Sequence, residues 1–249
     1  MKKGSICLVL LGMLFLLSPL SGYAQEAYDK LGTILGSDEK SVLESIRNGD
    51  FKNLFGSEIG GNGKGAISIG AIWFESPFRS KFPGIKPSST DTNVLNDSLR
   101  DSIGRLKQLM PREESNNLID KLVTKYTKSY KVSHPSNPLG GSAGPQVTAT
   151  LRFLCDKSAD TSKLMIVEIM CEDKIIMNDI LKFFNKHFGK STRENNNLLW
   201  KKDNTYAFCA TRARNMIYLY DADLYHENYD DAQALQKSLL KKVEEIKKN

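Results

Sequence analysis

Between Val147 and Cys155 the residues take sides. Val147, Ala149, Leu151, Phe153 and Cys155 are apolar, while Thr148, Thr150 and Arg152 between them are polar. A period of two is the mark of a strand with one buried face. Such a strand needs paired neighbours and a covering layer, so it constrains the fold more than any other stretch. Asp156 to Ser162 reads as the turn, and Leu164 to Cys171 as the returning strand. On that return, Met165, Val167, Ile169 and Cys171 are the apolar set and Glu168 faces the other way. Three short strands follow at Asn197–Lys202, Thr205–Arg212 and Asn215–Asp221, separated by turn-sized tripeptides at Lys202–Asn204 and Arg212–Arg214.

The covering layer is helical. Ile176, Ile180, Leu181, Phe183, Phe184 and Phe188 recur at helical spacing from about Lys174, and Gly189 ends the run. His187 lies one turn from Phe183 and reads as a half-buried packing residue. A last helix is expected from about Tyr229, striped by Leu235, Leu239, Leu240, Val243 and Ile246. Leu95, Leu99, Ile103, Leu106 and Leu109 predict a helix stopped by Pro111, preceded by loop over Ser76–Asp91. Another helix opens at Asn116, with Leu118, Ile119, Leu122, Val123, Tyr126 and Tyr130 on one face. Its start aligns loosely with the helix at Asn178, so a duplicated strand–helix–strand unit is one reading; two unrelated amphipathic helices would match as well. Nearer the N-terminus, Tyr28 to Leu35 reads as a helix ending at Gly36, and a second runs from a Ser37 cap to Asn48-Gly49.

The expected fold class is therefore α+β: an antiparallel sheet of about six strands with amphipathic helices packed on one face. The expected boundaries are a signal segment at 1–24, a helical N-terminal region at 25–55, a Gly-rich linker at 56–65 and an α+β domain at 66–249. Ala66 to Phe74 reads as a buried strand, and Trp73, Phe74, Phe78 and Phe82 as a cluster fastening a long loop. A second Gly/Pro-rich linker, 134–145, either joins two strand–helix–strand halves or forms one long loop.

Residues 1–24 carry an address. Lys2 and Lys3 precede an apolar run from Ile6 to Leu17, and Gly22-Tyr23-Ala24 places small residues at −3 and −1. That is the layout of a secretory signal cleaved after Ala24. The run falls short of the roughly 20 residues that span a bilayer, and no Cys follows the cleavage point to make a lipoprotein. The expectation is a periplasmic or secreted bacterial protein with no transmembrane segment after cleavage. Loss of Lys2 and Lys3 lowers the net charge from +6 to +4, spread without a basic block, which argues against nucleic acid. Cys155, Cys171 and Cys209 then remain, all in apolar runs, and read as small buried hydrophobes. A Cys155–Cys171 disulfide is the competing reading, but hairpin register puts the two at opposite ends.

Chemistry is sparse. Gly56–Gly65 superficially resembles a phosphate loop, yet Gly63-Lys64 is followed by Gly65, and Glu58 stands where the leading Gly belongs. Asp97-Ser98-Leu99 and Asp101-Ser102-Ile103 resemble the Asp-Ser/Thr-apolar acceptor of bacterial O-glycosylation, a loose pattern. His134, His187 and His226 show no metal-ligand spacing, and no cofactor is expected. The richest polar-aromatic segment holds Tyr218, Tyr220, Asp221, Asp223, Tyr225 and His226, a composition common where sugars or peptides bind. Asp221 and Asp223 also read simply as a strand end capping the next helix. The sequence thus favours a non-catalytic binding protein with an envelope protein, peptide or glycan as partner. The alternative is a secreted hydrolase using His226 with Asp221 or Asp223.

Overall fold

Period-two and period-3.6 patterning divide the chain into elements in the following order. Helix α1 (26–27 and 29–33) is followed by α2 (Glu39–Arg47), β1 (Glu58–Ile59) and β2 (Ala66–Ser68). Next come α3 (Ser89–Leu109), α4 (Arg112–Leu122), β3 (Lys125–Ser133), β4 (Val147–Asp156), β5 (Thr161–Cys171) and α5 (Lys174–Phe188). The chain closes with β6 (Thr192–Glu194), β7 (Asn197–Lys202), β8 (Thr205–Ala210), β9 (Met216–Asp221) and α6 (Ala222–Lys248). This computed structural model describes residues 26–27, 29–60, 66–68, 87–134, 147–172, 174–194, 197–210 and 216–248. The signal segment, the aromatic cluster at 73–82, the turn at 212–214 and nearly all of the 134–145 stretch lie outside the described residues.

The fold is α+β with an antiparallel sheet. Its described strands number nine rather than about six, in the order β1-β3-β4-β5-β9-β8-β7-β6 with β2 also on β3. The excess comes from short edge pieces and from β3, where a helix is expected from the sequence. That helix ends at Leu122, and Lys125–Ser133 pairs with β4 from Lys125↔Asp156 to Ser133↔Thr148. The reason is in the residues: Tyr126, Lys128, Tyr130 and Val132 share one side at period two, and aromatic and β-branched side chains favour a pleated surface. Tyr126 and Tyr130 are four apart, so either period fits them. Of the segment aligned with the helix at 178, residues 117–122 are helix and residues 125 and 126 are strand.

The β4–β5 hairpin carries one irregularity. Arg152 pairs with Ile166 but Phe153 pairs with Leu164, so Met165 is an extra, bulged residue. Leu164, and not Met165, therefore continues the core face, while Met165 joins the opposite side. Register also places Cys155 opposite Ser162 and Cys171 opposite Val147, at the two ends of the hairpin, and the three described cysteines are all buried.

The main core lies on one face of the sheet. Val147, Ala149, Leu151, Phe153, Val167, Ile169, Ile217 and Leu219 meet Leu31 of α1, Ile46 of α2 and Ile180 and Phe184 of α5. Trp200 is buried there, its ring edge-on to Phe184 at 5.4 Å and its indole N–H donating to Asn185 Oδ1 at 3.0 Å. His187 stacks on Phe183 at 5.2 Å and lies close against Gly32, whose missing side chain makes the room. Burial, helped by the charge of Lys202, lowers the His187 pKa below its ordinary value.

Helices are not confined to that face. α3, α4 and α6 bury Leu99, Leu106, Ile119, Leu235, Leu239 and Val243 against one another in a second core. Here α3 starts at Ser89, inside the stretch read as loop, because its N-cap Ser88 and Asp91 form a reciprocal capping box. α6 starts at Ala222, seven residues before Tyr229, with Asp221 as its cap, and α2 is capped by Asp38 in place of Ser37. The first part of the Gly-rich stretch is sheet rather than linker. Gly56 is buried with φ +96°, and Glu58 and Ile59 pair with Ser133 and Val132.

Candidate functional site

The opposite face of the sheet has a different surface. Its cross-strand rows follow from register: Thr150–Glu168–Tyr218–Phe208–Leu199 and Arg152–Ile166–Tyr220–Tyr206–Lys201. Thr148, Met170 and Met216 extend it. Alternation puts these side chains away from the main core, and most are half-buried: Thr150, Arg152, Glu168, Leu199, Tyr206 and Tyr218 all keep some solvent contact. Phe208 and Tyr220 are the buried floor between them.

Rings dominate the centre of this face. Tyr206 stacks on Tyr220 at 5.1 Å and 18°, Tyr225 meets Tyr220 edge-on at 5.6 Å, and Phe208 lies 6.1 Å from Tyr218. Offset and edge-on pairs at these distances are the favoured arrangements for aromatic quadrupoles. Polar groups flank the rings. Arg152 Nη2 pairs with Glu168 Oε2 at 3.0 Å, beside Thr148 and Thr150, and Lys201 Nζ lies 5.2 Å from the Tyr206 ring centre.

The six residues singled out from the sequence separate by environment. Tyr218 is half-buried on this face, its hydroxyl directed to Met216 sulfur at 3.6 Å. Tyr220 is 1% exposed, and burial, with Tyr225 and Tyr206 alongside, raises its phenol pKa well above the ordinary range. Tyr225, on the first turn of α6, is buried against Tyr220. Asp221 caps α6: its Oδ1 accepts from the Leu224 amide at 3.0 Å and from Asn204 Nδ2 at 2.9 Å. Asp223 and His226 stand exposed on the first turns of α6, with the His226 ring 6.4 Å from Tyr225. The fold therefore gathers the tyrosines and gives Asp221 a capping geometry with two donors already placed on one oxygen.

Sequence reading missed the partners of these tyrosines. Tyr206, Phe208, Arg152 and Glu168 come from three strands, and the available signal was the even-numbered side of each. It also missed a polar cluster on the main-core side. There Glu39 Oε1 accepts from Lys128 Nζ at 2.5 Å and from the Tyr130 hydroxyl, while Oε2 accepts from Ser162 Oγ at 2.8 Å. Cys155 Sγ lies 3.1 Å from the same Ser162 oxygen. Burial opposes ionisation of Glu39, but the hydrogen bonds from Lys128, Tyr130 and Ser162 outweigh it and lower the pKa. Burial raises the Cys155 thiol pKa, against the hydrogen bond it shares with Ser162, which disfavours a nucleophilic thiolate there. The cluster fastens α2 to β3 and β5.

Of the two serines in glycosylation-like tripeptides, Ser102 is fully buried and donates to the Ser98 carbonyl, and Ser98 Oγ accepts from Gln236 Nε2 at 2.8 Å. Among the described residues, no three His, Cys, Asp or Glu side chains gather as a metal site, and no helix is long and apolar enough to cross a membrane. Comparison with known proteins found no matching family model, no similar curated protein and no similar solved structure.

Proposed function

We propose that this chain is an exported, non-catalytic binding protein of the bacterial envelope, and that its half-open sheet face takes a glycan of that compartment. Export rests on the charged, apolar and small-residue layout of residues 1–24. The observation that carries the binding reading is the half-buried ring surface of Tyr206 and Tyr218 on its Phe208–Tyr220 floor. Ring faces suit the apolar faces of sugars, and Arg152, Glu168, Thr148 and Thr150 supply donors and acceptors for hydroxyls at the margin. A half-buried sheet face of this kind fits an extended chain better than a compact metabolite, which is held in a concave pocket.

Co-sedimentation of the chain from Gln25 onward with purified envelope polysaccharide tests the reading. The unaltered protein is expected in the pellet. Tyr218→Ala removes a stacking ring worth about 1 kcal/mol, which weakens binding roughly fivefold; His226→Ala is expected to bind as the unaltered protein does. Equal sedimentation of Tyr218→Ala and Tyr206→Ala variants would sink the proposal, as would capture by an envelope protein with no retention on polysaccharide. Hydrolysis of the polysaccharide that stops in His226→Ala would favour the hydrolase reading instead.

A further inference from the structure

Where α3 and α6 run side by side, a small cleft opens beside Tyr225. Thr92, Leu95 and Asn96 line it from α3, and Tyr225, Asn228 and Tyr229 from α6. Its cavity volume is about 10 Å³. That is room for one water-sized group, which needs about 10–15 Å³. Every lining side chain is uncharged, so a charged group entering would lose its hydration with no opposite charge to meet it.

Asn228 gives the cleft its chemistry. The residue is fully buried, yet neither its amide nitrogen nor its amide oxygen has a hydrogen-bond partner among the described residues. A buried amide left unpaired costs as much as a lost hydrogen bond or more, and native interiors rarely tolerate one. One turn of α6 thus offers two donors and an acceptor to a space sized for a single group. We propose that this cleft is a binding site for one uncharged hydroxyl-sized group that accepts from and donates to Asn228, tying α6 to α3. Two sources share that chemistry, a resident water and the hydroxyl of a sugar. The site stands whether or not the sheet face binds a glycan.

The test is a high-resolution crystal structure of the chain from Gln25 onward, grown without sugar and also soaked in glucose. Density within hydrogen-bonding distance of the Asn228 amide is expected. In the sugar-free crystal it identifies water; in the soaked crystal alone it identifies a sugar hydroxyl. No density in either crystal overturns the proposal. Thermal unfolding of Asn228→Leu gives a second reading. A bound group makes this variant less stable, with Tm lower by about 3 °C, whereas an amide that is merely unpaired makes it equally or more stable and overturns the proposal. Should Asn228→Leu fail to fold, the crystals of the unaltered protein decide alone.

Discussion

Glu39 shows how much one residue can organise. It sits in the first turn of α2, where its charge suits the helix dipole, and it also receives Lys128, Tyr130 and Ser162 from two strands. The sign of its pH dependence follows from the shift. A carboxyl whose folded pKa lies below its ordinary 4.5 stabilises the fold above that value and loses the contribution as pH falls through the folded pKa. For Lys128 burial lowers the pKa, but the hydrogen bonds to Glu39 and Tyr130 raise it more. Its contribution is complete below the ordinary 10.5 and is lost above that, as pH rises through the folded pKa. The pair is thus fully effective between about pH 4.5 and 10.5. Glu39→Gln is expected to cost about 1–2 kcal/mol at pH 7, because it leaves Lys128 charged and half-buried. The measurement is urea unfolding at pH 7 and pH 3, where the difference between variant and unaltered protein should shrink at the lower pH. An equal difference at both values would show that Glu39 contributes by packing alone.

At the scale of elements, the sheet edge depends on one glycine. Gly56 has φ +96°, in the region that favours glycine, and an added Cβ would lie 2.1 Å from the Ser133 carbonyl oxygen. That atom is backbone in β3, held by the pairing of β1 with β3, and it cannot swing away as a side-chain tip would. Gly56→Ala therefore combines backbone strain with a steric clash, and a loss of about 3 kcal/mol or more is expected. Chemical denaturation measures it; a loss below about 1 kcal/mol would mean that β1 detaches from β3 cheaply. Gly36 also has positive φ, +77°, but a Cβ there would meet nothing nearer than 3.5 Å. The same scale explains the misread strand. Tyr126 and Tyr130 fit a helical face as readily as a pleated one, and only the nine-residue pairing of β3 with β4 decides between them. Period alone cannot, when two aromatic residues stand four apart.

In the whole molecule, the segment 135–146 lies between two strands that pair along their length, Lys125↔Asp156 to Ser133↔Thr148. The residues on its two sides therefore belong to one sheet and one core, to which Tyr130, Val132, Val147 and Leu151 all contribute. A chain supplied as two pieces broken between Pro138 and Leu139 is expected to assemble into a complex that unfolds in one transition. Two separate transitions, or pieces that do not associate, would show the halves to be independent. Size-exclusion chromatography followed by calorimetry distinguishes these outcomes.

Much of this was legible beforehand. The alternation from Val147 to Arg152 identifies β4, the helical spacing from Ile176 to Phe188 identifies α5, and the short turn at Lys202–Asn204 identifies the β7–β8 hairpin. These are local patterns, and a side-chain period is a property of adjacent residues. The tyrosine-rich segment was legible as a composition, and the residues that face it were not. Tyr206 and Tyr220 meet because β8 and β9 pair in one register, and a shift of one residue would turn one of the rings to the other face. The extra Met165, the Glu39 cluster joining residues up to 123 apart, and the pairing of α3 with α6 around Asn228 are likewise set by packing. The sequence by itself determined the α+β class and the main strands and helices. The tertiary structure alone decided which rings share a face, which carboxylate caps a helix and which amide is buried, because those depend on register and on contacts between segments far apart in the chain.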